Sequence, residues 1–412
     1  MVAFVRQILH AYGEKHMHRA VRRWRTGAAV LLVGLVLAAF ALTRARESGP
    51  EAAESGGTPT AHTDGTSLNA SASPSPSPHT PVSSRAPTPH ASASPSPGAG
   101  AASASPSTRP VCDNAHPALD VGVAAGGDIQ AAIDRVAAAG GGCVNLAEGS
   151  WTLRRSVRMK GGVTLNGSGA STLLQGPTSV YDYPLIDSDG TVPQTNMTVE
   201  NMVLDGRIPP SARTTDPDAN NPYADAMGIL FAAYRANHRH VLIKNVEVRH
   251  TSMGIHIKGT TGVTLDGVNV HHNGIAFWLH NVYLRRCSDV VIVRSRMNDS
   301  LVGTGLHVAG DSRNITITDS NFSGNNSSGM NIQDLPANVT IRGSRMIGNN
   351  GDGISAVGTR LVITDNQARD NADSGIHTWT GTGQVDGNTA SGNKSENLDI
   401  HGHFSISDNI GH

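Results

Sequence analysis

Aromatic residues make up only 4% of the 412 residues, too few rings for a thick helical core. That scarcity argues against a conventional α-helical enzyme. Excess charge of one sign is also missing: 32 basic against 33 acidic residues leave a net charge of −1, so the chain carries no basic footprint for a phosphate backbone, and nucleic acid is excluded as the expected partner. Cysteine is scarce too. Cys112, Cys143 and Cys287 cannot staple a scaffold, and spacing alone leaves two readings, a Cys112–Cys143 disulfide at the start of an exported domain or three buried thiols. Long apolar runs are absent except for one, Gly27 to Leu42.

That run is uncharged and follows Arg22, Arg23 and Arg25, the pattern of an export signal. At ~1.5 Å per residue it spans roughly 24 Å, short for a ~30 Å hydrocarbon core. A single-pass anchor over 27–43, with a basic cytoplasmic region 1–26, fits the positive charge before it. A cleaved signal peptide fits the small-x-small run Ala39-Phe40-Ala41. Either way the bulk of the chain is expected on the outer face of the membrane or secreted. Residues 44–110 are rich in Ser, Pro, Ala, Thr and Gly, which bury too little apolar surface to offset the entropy of ordering, and are predicted to form a disordered tether.

What is abundant is glycine, 46 residues of it, and repetition. From about Val111 a phrase of glycine, apolar residue, any residue and usually another apolar residue recurs, as Gly228-Ile229-Leu230-Phe231, Gly254-Ile255-His256-Ile257, Gly274-Ile275-Ala276-Phe277 and Gly305-Leu306-His307-Val308, then at Gly329, Gly353 and Gly375. Asn397-Leu398-Asp399-Ile400 continues it without the glycine. Between copies lie alternating runs such as Asn314-Ile315-Thr316-Ile317-Thr318, bounded by Asn, Asp and Gly. Alternation over a few residues between turn residues predicts short strands with one buried face. Three strands per ~22-residue unit bury that face only by stacking on copies of themselves, so 111–412 is predicted to be a parallel β-helix. Asn273, Asn325, Asn349, Asn371 and Asn393 recur at one turn and predict a stacked asparagine ladder.

The segment from Asp128 to Leu153 reads as an amphipathic helix that passes into a strand after three glycines. With the repeats behind it, this segment resembles the helix that covers the first coil in the pectate-lyase-like right-handed β-helix superfamily, over about three quarters of the chain. The resemblance implies a carbohydrate-active protein with a groove along one face, walled by loops.

Outward residues of successive coils form columns about 4.8 Å apart. One predicted column is Leu230, His256, Ala276, His307, Asn331, Ser355, His377, Asp399, with Lys258, Trp278, Trp379 and His401 beside it. The few aromatics gather near Phe231, Tyr234, Phe277, Trp278 and Tyr283, where rings could stack on sugars. The longest interval, Gly274 to Gly305, reads as a loop insertion from Trp278 to Cys287 that carries His280, Tyr283, Arg285 and Arg286. A uronate must have its carboxylate neutralised before a base removes its C5 proton. Lys244 beside Asp266, facing Arg285 and Arg286, is the expected site, with His256, His280 and His307 as further catalytic candidates and Tyr234, Trp278 and Tyr283 as substrate-binding rings. The plain alternative is a surface ion pair and solvent-facing histidines.

A loop from Asp205 to Met227, with Asp216, Asp218, Asn220, Asn221 and Asp225, reads as a calcium (Ca2+) loop or a solvated lid. His238-x-His240 and His401-x-His403 offer two ligands each for a transition metal, and metal delivery is a further reading. The four polygalacturonase-type motifs, Asn-Thr-Asp, Asp-Asp, Gly-His-Gly and Arg-Ile-Lys, are absent. The Asp-Pro-His motif of mannuronan-epimerase-like proteins is represented only by Asp216-Pro217-Asp218. The expectation is therefore a lyase of an acidic polysaccharide, and its rival a non-catalytic module that binds glycan at the cell surface.

Overall fold

The computed structural model describes residues 119–411, apart from 217–219 and 235–236. The expected membrane or signal segment, the tether and Cys112 lie outside the described residues. Among those described, no helix is long and apolar enough to cross a membrane.

Every pairing between strands is parallel, and the strands wind into a right-handed solenoid with three faces. The first face carries Ile229–Ala232, Ile255–Lys258, Val282–Arg285, Leu306–Ala309 and Met330–Ile332 among its rungs. Next in the chain comes the second face, with Thr260–Asp266, Ser288–Val293, Arg313–Thr318 and Ala337–Arg342 among its rungs. The third is built from short strands such as Asn269–His271, Arg296–Asn298 and Arg345–Ile347. Alternation is why each rung holds. In Ser288–Val293, Val290 and Ile292 point into the core while Asp289 and Val291 face out. Each buried aliphatic side chain contributes about 1.5–3 kcal/mol, but only where the rungs above and below close over it.

Helix α1, Ile129–Ala138, packs Ile129, Ala132, Ile133 and Val136 against the first rungs. Asp128 caps it, its Oδ1 accepting from Ala131 N at 3.0 Å. Gly142 then enters the second face with φ +139°, where a Cβ would lie 2.0 Å from the Leu119 carbonyl oxygen, so only glycine fits. Cys143 is disulfide-bonded, whereas Cys287 is a buried free thiol whose pKa burial pushes up to about 11.

The asparagine ladder is present and longer than expected. Side-chain amides hydrogen-bond from Asn273 to Asn281 (3.1 Å) and Asn281 to Asn325 (3.2 Å), then through Asn349 (3.0 Å), Asn371 (2.9 Å) and Asn393 (2.8 Å) to Asn397 (2.8 Å). Each also accepts from or donates to backbone at the corner, as when Asn349 N donates to Asn371 Oδ1 at 3.0 Å.

Asn281 also corrects the reading of the longest repeat. Residues 274–280 are an excursion, and the rung itself is Val282–Arg285, in register with Ile255–Lys258 before it and Leu306–Ala309 after it. Ile229 N donates to the Gly254 carbonyl and Ile255 N to that of Asn281, so Asn281 stands where other rungs have glycine. From Ile229 onward, first-face strands accordingly start at 229, 255, 282, 306, 330, 354, 376 and 398, intervals of 26, 27, 24, 24, 24, 22 and 22. Ala276 and Trp278 are not members of the columns; Tyr283 and Arg285 are.

Asn371 is fully buried; it donates to Asn393 and to the Met346 carbonyl and accepts from Asn349. Asn371→Ala should cost about 3 kcal/mol, because several buried polar groups lose their partner at once. The exposed Thr316→Ala should stay within about 1 kcal/mol. Urea unfolding of the two variants checks this; equal losses would show that the ladder carries no special stability.

Candidate functional site

With the register corrected, the outward column of the first face reads Leu230, His256, Tyr283, His307, Asn331 on consecutive rungs. Beside it run Ala232, Lys258, Arg285 and Ala309. The excursion before the Tyr283 rung folds His280 in among them. Five residues singled out from the sequence, His256, His280, Tyr283, Arg285 and His307, are thereby gathered on one face.

The four rings form one stack. His256 lies flat on Tyr283 with centroids 4.9 Å apart and planes at 21°, and both its ring nitrogens are shielded from solvent. Tyr283 meets His307 at 4.9 Å and His280 at 5.6 Å, each edge-on. His280 is only 5% exposed; its Nδ1 lies 3.1 Å from Thr304 N and 3.0 Å from Thr304 Oγ1, and its Nε2 lies 3.0 Å from His307 Nδ1. The Thr304 amide can only donate, so His280 Nδ1 accepts and a neutral His280 carries its proton on Nε2. That proton is donated to His307 Nδ1, and a neutral His307 therefore presents an N–H at Nε2.

Burial keeps both imidazoles neutral. It holds His280 well below the ordinary histidine range, helped by the positive charge that His307 and His256 would carry. His307 is pushed down to about 4, again chiefly by burial, against the opposing charge of Asp334. The Tyr283 phenol is raised by burial, with Arg285 opposing and Asp334 adding to the shift. Asp334, in the turn after the Met330–Ile332 rung, thus acts electrostatically on both Tyr283 and His307. Its Oδ2 accepts from Gly310 N at 2.8 Å. It belongs to no column, and sequence reasoning passed over it.

Next to the rings lie cations. Lys258 Nζ sits 4.6 Å above the Tyr234 ring, which is 62% exposed. The Lys258 ammonium is lowered by burial and then by the like charges of Arg286 and Arg285. Among the described residues, none of the three makes an ion pair with a carboxylate. Such a patch is arranged to receive an anion from outside.

Other expected site residues lie elsewhere. Lys244 is in register with Asp266, as predicted, and with Glu200 on its other side, but this column ends strands of the second face. It does not face Arg285, which stands on the first face, nor Arg286 at the corner beyond it. Asp266 instead pairs with Arg294 at 2.5 Å. Phe231 is core, while Phe277 is half-exposed on the excursion, edge-on to Trp278 at 4.8 Å. In the candidate calcium loop Asn221 is spent on its own turn, donating to the Ala212 carbonyl at 2.7 Å and accepting from Tyr223 N at 3.0 Å; Asp218 lies outside the described residues. Asp216 and Asp225 join no convergent group of three ligands among the described residues. His238 is a core histidine held by Ser188 Oγ (3.0 Å) and Gln194 N (3.1 Å), while His240 lies 3.1 Å from Asn196, so they grip no common point. A cavity of about 330 Å³ lies at the N-terminal rungs beside α1, lined by Trp151, Arg154 and Arg155 and by none of the column residues.

Compared with known proteins, residues 253–410 match the family described as right handed beta helix region. No curated protein matches the chain. Among solved structures, a mannuronan C-5 epimerase A-module from Azotobacter vinelandii is 20% identical, covering 68% of this chain and 90% of that one, with a TM-score of 0.48. Polygalacturonase from Erwinia carotovora ssp. carotovora is 12% identical, covering 74% and 95%, at 0.47. The Dettilon tailspike protein is 14% identical, covering 64% and 50%, at 0.48. The described residues form a right-handed parallel β-helix. None of these similarities assigns it a substrate or a reaction.

The depressed imidazole gives a pH dependence of known sign. The unfolded chain protonates this histidine near the usual 6.5, the native chain only at about 4, so between these values the unfolded state binds more protons. Stability is complete above about pH 6.5 and falls as the pH drops through that window. The urea midpoint should be lower at pH 5 than at pH 7, and His307→Gln should shrink the difference. A difference of the same size in the variant would show that His307 does not carry it.

Proposed function

We propose that the chain is a polysaccharide lyase that acts outside the cell membrane on a uronate-containing glycan. The observation that carries this reading is the patch of Lys258, Arg285 and Arg286, without ion-pair partners among the described residues, set against the neutral His280 and His307 and a protonated Tyr283. A uronate carboxylate answers the charge, and the rings offer the faces on which sugars stack.

In this reading Lys258 and Arg285 neutralise the substrate carboxylate, and the neutral His307 donates its Nε2 proton as a hydrogen bond to the same group. These donors lower the energy of the carbanion that forms when the C5 proton leaves. Asp334 is the base that takes that proton. As the C4–O4 bond breaks, the electron pair of the former C5–H bond becomes the C4=C5 double bond, and Tyr283 gives its phenolic proton to the departing O4. Burial keeps that phenol protonated until it is needed. His280 holds His307 in the donor tautomer, and His256 supports the Tyr283 ring from beneath.

The rival reading, a surface module that binds glycan without cleaving it, draws on the exposed rings Tyr234, Phe277 and Trp379. A panel of uronate polysaccharides, followed by ultraviolet absorbance of the unsaturated product, separates the two. The lyase reading expects product from at least one glycan, with Tyr283→Phe and Arg285→Ala each slower by about 10²–10⁴ and Lys244→Ala unchanged. Retention on a glycan column with no product favours the binder. Inversion at C5 without unsaturation overturns cleavage, and full activity in both variants places the site elsewhere.

A further inference from the structure

We propose that His377, Asp399 and His401 form a binding site for a divalent transition-metal ion of the zinc class, joining the last two rungs of the first face. His377 and Asp399 are partners in register on consecutive rungs, and His401 follows Asp399 by two residues. His377 Nε2 lies 3.4 Å from Asp399 Oδ2, and His401 Nε2 lies 2.7 Å from Asp399 Oδ1. One donor atom from each residue falls within 4.8 Å of the other two, and no other group of three His, Cys, Asp or Glu ligands does so among the described residues.

The donors are held as ligands, which separates this cluster from a chance meeting of surface groups. Asp352 Oδ1 accepts from Ser374 N at 3.0 Å, and its Oδ2 is left 3.5 Å from His377 Nδ1. That carboxylate behind the imidazole turns Nε2 toward Asp399, the arrangement that orients metal-bound histidines. Trp379 packs against the His377 ring, centroids 4.3 Å apart and planes tilted by 31°, and is itself fixed by a bond from Nε1 to Ser355 Oγ at 3.0 Å. The backbone of His401 is clamped at both ends by the buried Thr378, whose Oγ1 accepts from His401 N and donates to His401 O, each at 2.9 Å. The His401 side chain, 63% exposed, leaves the site open to solvent.

Two imidazoles and a carboxylate suit zinc, which takes nitrogen and oxygen donors at ~2.0–2.2 Å and keeps a fourth position for water. A tetrahedral arrangement sets donors about 3.3 Å apart, which the His377–Asp399 pair already meets. The His401–Asp399 contact must open by about half an ångström, and the exposed His401 side chain has room to move. The surroundings are also electronegative, with the Asp352 carboxylate 3.5 Å from His377 Nδ1 and the Asp399 carboxylate between the two imidazoles, and a dication answers that field. The cluster stands about three rungs, roughly 14 Å, beyond His307 and does not depend on the lyase reading.

The test uses the whole chain, stripped with a chelator and titrated with zinc chloride alone by calorimetry, and with cobalt chloride while visible absorption is followed. One equivalent should bind, with a ligand-field band for cobalt. His401→Ala should weaken binding at least 100-fold while the metal-free protein melts where the parent does. Asp352→Asn should weaken it about 10–100-fold without removing a ligand. Absence of binding to the stripped chain, or an unchanged affinity in His401→Ala, overturns the site. Should Asp399→Asn fail to fold, His401→Ala alone decides, because its side chain is not part of the core.

Discussion

Rung-to-rung register is the constraint on which everything else in this molecule rests. Parallel backbone bonding fixes which residue lies above which, and because side chains alternate, a slip of one residue would turn the buried face of a strand outward. The asparagine amides that run from Asn273 to Asn397 hold the register at a corner, where the strands end and the backbone needs partners. Each amide satisfies its neighbour's side chain and a turn N–H or C=O together. Core packing forbids a slip of one residue, and the ladder adds directional bonds that a slip of two would also break.

The architecture was legible because its signals repeat. Glycine phrases, alternating runs and the recurrent asparagine each appear many times, so no single exception hides the period. One exception moved the site. Gly274-Ile275-Ala276-Phe277 has the form of a rung, whereas the true rung begins with Asn281 in place of glycine. The sequence held a parallel in Asn397-Leu398-Asp399-Ile400, where asparagine also replaces glycine. Giving that parallel more weight than the glycine would have put Tyr283 and Arg285 in the columns from the start. Lys244 and Asp266 stand in the expected register with each other but on a different face from Arg285, since a repeat reveals neighbours along the solenoid and says little about what lies around its corners. Asp334 carried no signal at all: it reaches Tyr283 and His307 from a turn, and only coordinates bring it there.

The two clusters of the first face illustrate opposite ways of placing charge on one scaffold. Around Tyr283 the imidazoles of His280 and His307 are buried enough to be neutral, and the cations nearby make no ion pair with a carboxylate among the described residues. Around His377 carboxylates outnumber cations, and burial is outweighed. Both arise from the same column, a few rungs apart, and differ only in which residues the neighbouring positions supply. A regular stack makes this inexpensive to vary, because an outward side chain can change without disturbing the aliphatic core beneath it.

The ladder has a direction: every amide in it donates toward the C-terminal rung and accepts from the N-terminal side. Any complete rung with asparagine at that corner therefore presents the same acceptor below and the same donor above as the rung it would replace. Whole coils are interchangeable modules, and such a gene can grow or shrink by duplicating or losing them without breaking the bonding pattern. Excursions such as 274–280 show the other permitted variation, extra residues that bulge out between strands while the amide chain passes unbroken through Asn281.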